Sequence, residues 1–301
     1  MIYPAAFWPG ILGISILLVG VFTYRRDFQS SSRDGAFGLT ALGPVFVAAS
    51  IAAFAGEHFS AGPALAALVP KWLPAPLFIA YFVGVAHLAA AVSFVARRYI
   101  RWSALGLAVM FALFVLFMDL PAALKRPEVR IFWSLVARQA TFSIGALALF
   151  AIATRNDNPR RAAAITMIAR IWTAAVLIFY GIENALFPRF APGVPSMVAT
   201  QAWVPQPALI AYATGLLFIG FGFAMLFRKI ASGAAARCGL FVTLLTALLY
   251  VPQWVMAPDL SRQITGINFV FDTLLFAGTV LVIARAISET GAAHTANTTT
   301  Q

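Results

Sequence analysis

Long apolar runs alternate with short polar breaks along nearly the whole chain, at 8–24, 36–57, 77–95, 102–120, 131–154, 164–187, 207–227, 236–256 and 264–287. A helix rises about 1.5 Å per residue and needs roughly 20 apolar residues to cross a bilayer, so the pattern predicts nine transmembrane helices. No run alternates with the period of two that a half-buried strand would need. The expected fold class is therefore an all-α, polytopic membrane bundle. From Ser288 to Gln301 the composition turns small and hydroxyl-rich, which predicts a disordered polar tail.

One of these breaks occurs twice. Trp72 to Gly84 reads WLPAPLFIAYFVG and Trp203 to Gly215 reads WVPQPALIAYATG, with Trp, Pro, Pro, Ile, Ala, Tyr and Gly in register at an offset of 131. The same offset carries Pro121 onto Pro252, Pro127 onto Pro258 and Glu128 onto Asp259. Such self-similarity points to a tandem duplication. It divides the chain into an N-terminal helix and loop at 1–35, a first four-helix repeat at 36–155, a second at 156–287 and the tail at 288–301. Four helices are an even number, so both repeats enter the membrane from the same side, and the repeat is parallel rather than inverted.

Composition agrees with the pattern. At 61% hydrophobic and 10% charged, with a mean hydropathy of +0.88, the chain carries too much apolar surface for a soluble domain. The net charge of +11 could suggest nucleic acid, but the basic residues form short clusters between apolar runs, so no nucleic-acid partner is expected. Lipid is the surrounding partner. Cys238 is the one cysteine, which excludes an internal disulfide and a cysteine-ligated iron–sulfur cluster built from this chain alone. No Lys or Arg precedes the first run and no small-residue cleavage site follows it, so that run is read as a retained span.

Counted alternately, the loops place 13 Lys and Arg on one side and 6 on the other. The positive-inside rule then puts the N-terminus outside and the C-terminus in the cytoplasm of a bacterial-type inner membrane. The loops from Phe59 to Pro76 and from Pro188 to Gln206 fall on the outer face. There Trp72 and Trp203 could serve as interfacial anchors, with Pro76 and Pro207 opening the next helices. The alternative is that each loop folds down as a lid.

Several polar residues lie where lipid should exclude them. The first repeat places Glu57 and His58 at the outer end of its first helix, His87 within the second, Asp119 at the outer end of the third, and Arg138 and Gln139 within the fourth. An intramembrane Arg costs on the order of 3 kcal/mol even on lenient scales, so Arg138 should seek a carboxylate, and Glu57 and Asp119 are nearest by depth. His87 shares a face with Ala80, Gly84 and Ala91, and this stripe of small residues aims it at protein. A neutral imidazole bonded across the helix interface, a proton relay and a ligand contact are all compatible with that position.

Haem between His58 and His87 is disfavoured by their different depths, and no third or fourth ligand accompanies them for a metal. The second repeat has Glu183 and Asn184 for Glu57 and His58, Phe218 for His87, and Tyr250 for Asp119, with Asp272 deep in its last helix. Lacking an in-helix Arg at that depth, Glu183 and Asp272 could share a proton or be separately hydrated.

The sequence Glu57-His58-Phe59, the proline-rich loop ending in WLPAP, the Gly84 helix, the basic turn Arg97-Arg98 and the helix ending at Leu120-Pro121 together resemble the DoxX family. A weaker copy runs from Glu183 to Pro252 and departs at Asn184, where the first repeat has His58. The resemblance implies a four-helix membrane module found in subunits linked to thiosulfate or quinone oxidation.

Three functions follow as expectations. The first is a quinone-linked accessory subunit of a membrane oxidoreductase, with quinone as its ligand and a redox partner subunit carrying the flavin, haem or iron–sulfur centre. The second is a transporter of a small amphiphile or acid using buried carboxylates such as Asp272. The third is a scaffold without ligand. No motif for a stand-alone enzyme appears, and a homo-oligomer is left open.

Overall fold

The computed structural model describes residues 4–298. It is an all-α polytopic membrane bundle. Among the described residues nine helices are long and apolar enough to cross a membrane, and one isolated bridge, Phe190 to Ala199, is the only strand-like pairing.

Helix α1 (Pro4–Ser31) leads through a 3₁₀ segment (Ser32–Leu42) into α2 (Gly43–Ser60) and the short α3 (Gly62–Ala66). Then come α4 (Pro76–Val95), α5 (Ile100–Phe114), which continues through a π turn (Val115–Asp119) into α6 (Leu120–Lys125), and α7 (Arg130–Thr154). The C-terminal half follows with α8 (Pro159–Leu186), α9 (Pro207–Leu226), α10 (Ala231–Leu245), a π turn (Thr246–Tyr250), α11 (Val251–Val255) and α12 (Leu260–Thr298).

Proline begins α4, α8 and α9 at the first turn, where its missing N–H is not needed. Helix α8 starts earlier than its apolar run because the Asn158 side chain accepts a hydrogen bond from the Arg161 amide, 2.9 Å away, and caps a polar first turn. The residues just before α4 and α9, Ala75 and Gln206, both take left-handed backbone, with φ of 50° and 47°. They stand 131 positions apart, as do the two π turns. The polar tail expected from Ser288 is instead helical as far as Thr298, so α12 has no break at that boundary. Residues 299–301 lie outside the described region.

The centre belongs to α2 and α12, the two most buried spans. They cross at Gly43 and Gly278, where a Cβ on Gly278 would lie 2.9 Å from the Gly43 carbonyl oxygen. Absence of side chains there lets the backbones touch, the packing mode that replaces the hydrophobic effect inside lipid. Around this pair, α12 also packs on α7, α8 and α10, while α2 packs on α1 and α4. Helix α1 lies along α2 and also reaches α12, for a Cβ at Gly13 would meet Phe271. Its other face exposes Phe7, Trp8, Leu18 and Phe22, as a lipid-facing surface would.

Two ends of the bundle can be told apart. One carries the connections 61–75 and 187–206 and is called the loop end below. The other carries most of the arginines.

Candidate functional site

The first-half residues singled out from the sequence converge at the loop-end half of the bundle. His58 at the end of α2 and His87 within α4 have ring centroids 5.8 Å apart, so their different depths along separate helices do not separate them. His87 is 2% exposed and is packed between Phe54 and Phe111, at 6.3 and 5.9 Å. Neither of its nitrogens has a hydrogen-bond partner, and Nδ1 of His58 has none either. The small-residue stripe holds as expected, since Ala80, Gly84, His87 and Ala91 are all buried where α4 meets α2.

Beside this pair lies a cavity of about 750 Å³ between α4 and α5. Its wall is Leu, Val, Ala, Met and Phe with few polar groups, namely His58, Ser103, Asp119 and Gln139. Three of those four also carry an atom that is buried away from the cavity without a hydrogen-bond partner: His58 Nδ1, Asp119 Oδ2 and Gln139 Oε1. Leu65 of α3 and Val69 and Leu73 of the connection that follows it line the loop end of the cavity, and Trp72 packs edge-on against Phe117 at 5.2 Å. Gly106 faces open space, with no atom within 4 Å of a Cβ built there.

Arg138 does not take the partner expected from depth. Its Nη1 lies 2.6 Å from Oδ2 of Asp272 on α12, in the other half of the chain. Glu57 and Asp119 are neighbours of this pair rather than the partners themselves: Asp119 interacts electrostatically with Arg138, and Glu57 with Asp272. The pairing by depth assumed that each half satisfies its own charges, whereas α7 and α12 meet at the junction between halves.

Nor do Glu183 and Asp272 stand together without a cation. Glu183 forms an ion pair with Arg130, a residue read from the sequence as part of a loop. Arg130 stacks over Phe187 and Phe190, at 4.3 and 4.6 Å, and donates from Nη2 to the Ser196 carbonyl at 2.8 Å. Each of the two carboxylates therefore has its own guanidinium.

Asn184 has a structural partner as well. Its Nδ2 donates to the carbonyls of Tyr180 and Gly193, at 2.7 and 2.8 Å, and its Oδ1 accepts from the Gly193 amide at 2.9 Å. The Tyr250 hydroxyl donates to the Pro192 carbonyl at 2.7 Å. Residues Ala191 to Ser196 are consecutively buried, although they belong to a connection. Of the two loops, then, the second folds into the bundle as a plug, and the first roofs the cavity.

The site thus gathers Glu57, His58, His87, Asp119, Arg138 and Gln139 together with Asp272, and leaves Glu183 and Asn184 apart. Arg130 and the plug were not foreseen. One signal was present: from Glu183 to Trp203 the chain is five residues longer than from Glu57 to Trp72. No protein-family model, characterised protein or solved structure matches the chain.

Proposed function

We propose that the protein binds an amphiphile of the quinone class in the cavity between α4 and α5, as an accessory subunit to a membrane oxidoreductase. The observation that carries this reading is a large apolar cavity whose wall includes a few polar side chains, His58, Ser103, Asp119 and Gln139. The apolar wall takes up a tail coming from lipid by van der Waals packing, while one or two polar groups orient the head. The resemblance to the DoxX family supplies the redox context. Electrons would come from a partner subunit.

The Lys and Arg asymmetry supports an orientation with the loop end outside and the arginine-rich end in the cytoplasm of a bacterial-type inner membrane. Transport of a small acid finds less support, because Asp272, its candidate proton or cation site, is committed to Arg138.

The test is purification in mild detergent from the native membrane, with an optical spectrum and extracted quinone assayed on one sample. A coloured partner or stoichiometric quinone, lost when Gly106→Phe fills the cavity, is the expected outcome. A colourless, quinone-free protein that also fails to take up added decyl-benzoquinone overturns the reading.

A further inference from the structure

The turn between α4 and α5 and the connection between α9 and α10 carry matching basic pairs, Arg97-Arg98 and Arg228-Lys229, 131 positions apart. In the first half the charge is met from within the chain. Oδ2 of Asp27 on α1 lies 2.9 Å from Nη1 of Arg97, and the ring of Tyr24, also on α1, faces the same guanidinium at 4.7 Å. In the second half, among the described residues, no helix covers α8 as α1 covers α2. Arg228 and Lys229 are exposed, and no Asp or Glu occurs from Asn184 to Pro258.

Arg170 of α8 adds a third cation. Helices α8 and α9 run antiparallel, for Gly215 meets Gly181, and a Cβ at Gly222 would lie 2.7 Å from the Ala174 carbonyl oxygen. One turn further along each helix, Arg170 stands level with Leu226, the last residue of α9. Its side chain leans toward the start of α8, hence toward the Arg228-Lys229 connection. Arg138 and Arg130 each have a carboxylate, whereas Arg170 has neither an ion pair nor a hydrogen bond among the described residues. Its Nε is shut in, but its terminal nitrogens are not. An arginine inside a span is costly until an anion meets it, and here the anion must come from outside the chain.

The neighbouring face of α8 decides what kind of anion. The match of Glu57 with Glu183 sets Val45, Ala53 and Gly56 of α2 against Ile171, Phe179 and Ile182 of α8. On α2 these small residues admit α1 so closely that a Cβ at Gly56 would lie 2.7 Å from Cα of Pro9. The larger side chains of α8 hold a second helix away, and Ile171 and Ile182 are exposed as acyl chains require. We propose that an anionic phospholipid binds here, its phosphate between Arg170 and the Arg228-Lys229 pair, in the role Asp27 has in the first half. Its acyl chains lie along Ile171, Phe179 and Ile182. A zwitterionic head fits less well, because its ammonium would enter a cluster of three uncompensated cations.

Native mass spectrometry of the full chain in detergent tests this, by titration with phosphatidylglycerol, phosphatidylcholine of the same chains and inorganic phosphate. The expected result is at least tenfold tighter binding of phosphatidylglycerol than of phosphatidylcholine, no displacement by inorganic phosphate, and loss of the preference in Arg170→Gln. Arg228→Gln with Lys229→Gln alters only exposed residues and gives the same loss if Arg170→Gln does not fold. Removing two exposed charges elsewhere, in Arg160→Gln with Arg161→Gln, should leave the preference unchanged. Equal affinities, displacement by inorganic phosphate, an unchanged preference in a folded variant, or the same loss in the Arg160 and Arg161 variant would each overturn the proposal. So would a photo-crosslinker at position 171 that captures a second protein rather than lipid in the native membrane.

Discussion

Arg138 of α7 and Asp272 of α12 form an ion pair, 2.6 Å from Nη1 to Oδ2, that joins the two halves of the chain within the membrane-spanning core. Both side chains are mostly buried, at 14% and 17% exposed. Breaking a buried pair on one side leaves an uncompensated charge, which typically costs about 3–5 kcal/mol, whereas replacing both members with apolar residues is often close to neutral. Asp272→Ala should therefore lower the unfolding temperature in detergent sharply. Arg138→Met combined with Asp272→Leu should recover most of the loss, and a double variant no better than the single one would show that the pair is not the cause.

The cavity makes a second prediction through Gly106, which faces open space. Gly106→Phe places a ring in that space without a backbone clash and also improves the helix by about 0.5 kcal/mol, since Gly is the poorest helix former after Pro and Phe ranks in the middle of the scale. Bound quinone should fall at least tenfold with no loss of thermal stability. Retained quinone in a stable variant would move the ligand elsewhere.

His87 is surrounded by aromatic rings and makes no hydrogen bond from either nitrogen. Its counterpart in the second half is Phe218, which is fully buried. A polar ring held without partners costs on the order of 1–3 kcal/mol. His87→Phe should accordingly raise the unfolding temperature in detergent, and a lower one would mean that the imidazole makes a bond essential to the fold.

The plug hangs largely on Asn184, whose side chain makes three hydrogen bonds, two of them to Gly193. At about 1 kcal/mol net each, their loss in Asn184→Ala should cost on the order of 1–3 kcal/mol and loosen residues 191–196 locally rather than unfold the bundle. Val194→Cys reports this directly, because Val194 is buried and the native Cys238 is fully buried. Maleimide labelling of Val194→Cys should be slow, and faster by tenfold or more once Asn184→Ala is added. Equal rates would show that the plug is held by Tyr250 and Arg130 instead.

Hydropathy alone is enough to read nine spans in this chain, because burial in lipid rewards every apolar residue wherever its helix sits. The prolines at 76 and 207 mark helix starts for an equally local reason, a missing amide hydrogen. The stripe of Ala80, Gly84, His87 and Ala91 likewise identifies the inward face of α4. What no local pattern carries is which helices meet. Arg138 and Asp272 are 134 residues apart, and only the packing of α7 on α12 makes them partners rather than members of two separate sites. The contrast between the halves is also tertiary. Five extra residues say that one loop is longer, but it takes the hydrogen bonds of Asn184, Tyr250 and Arg130 to turn that length inward as a plug and leave the other half with a cavity.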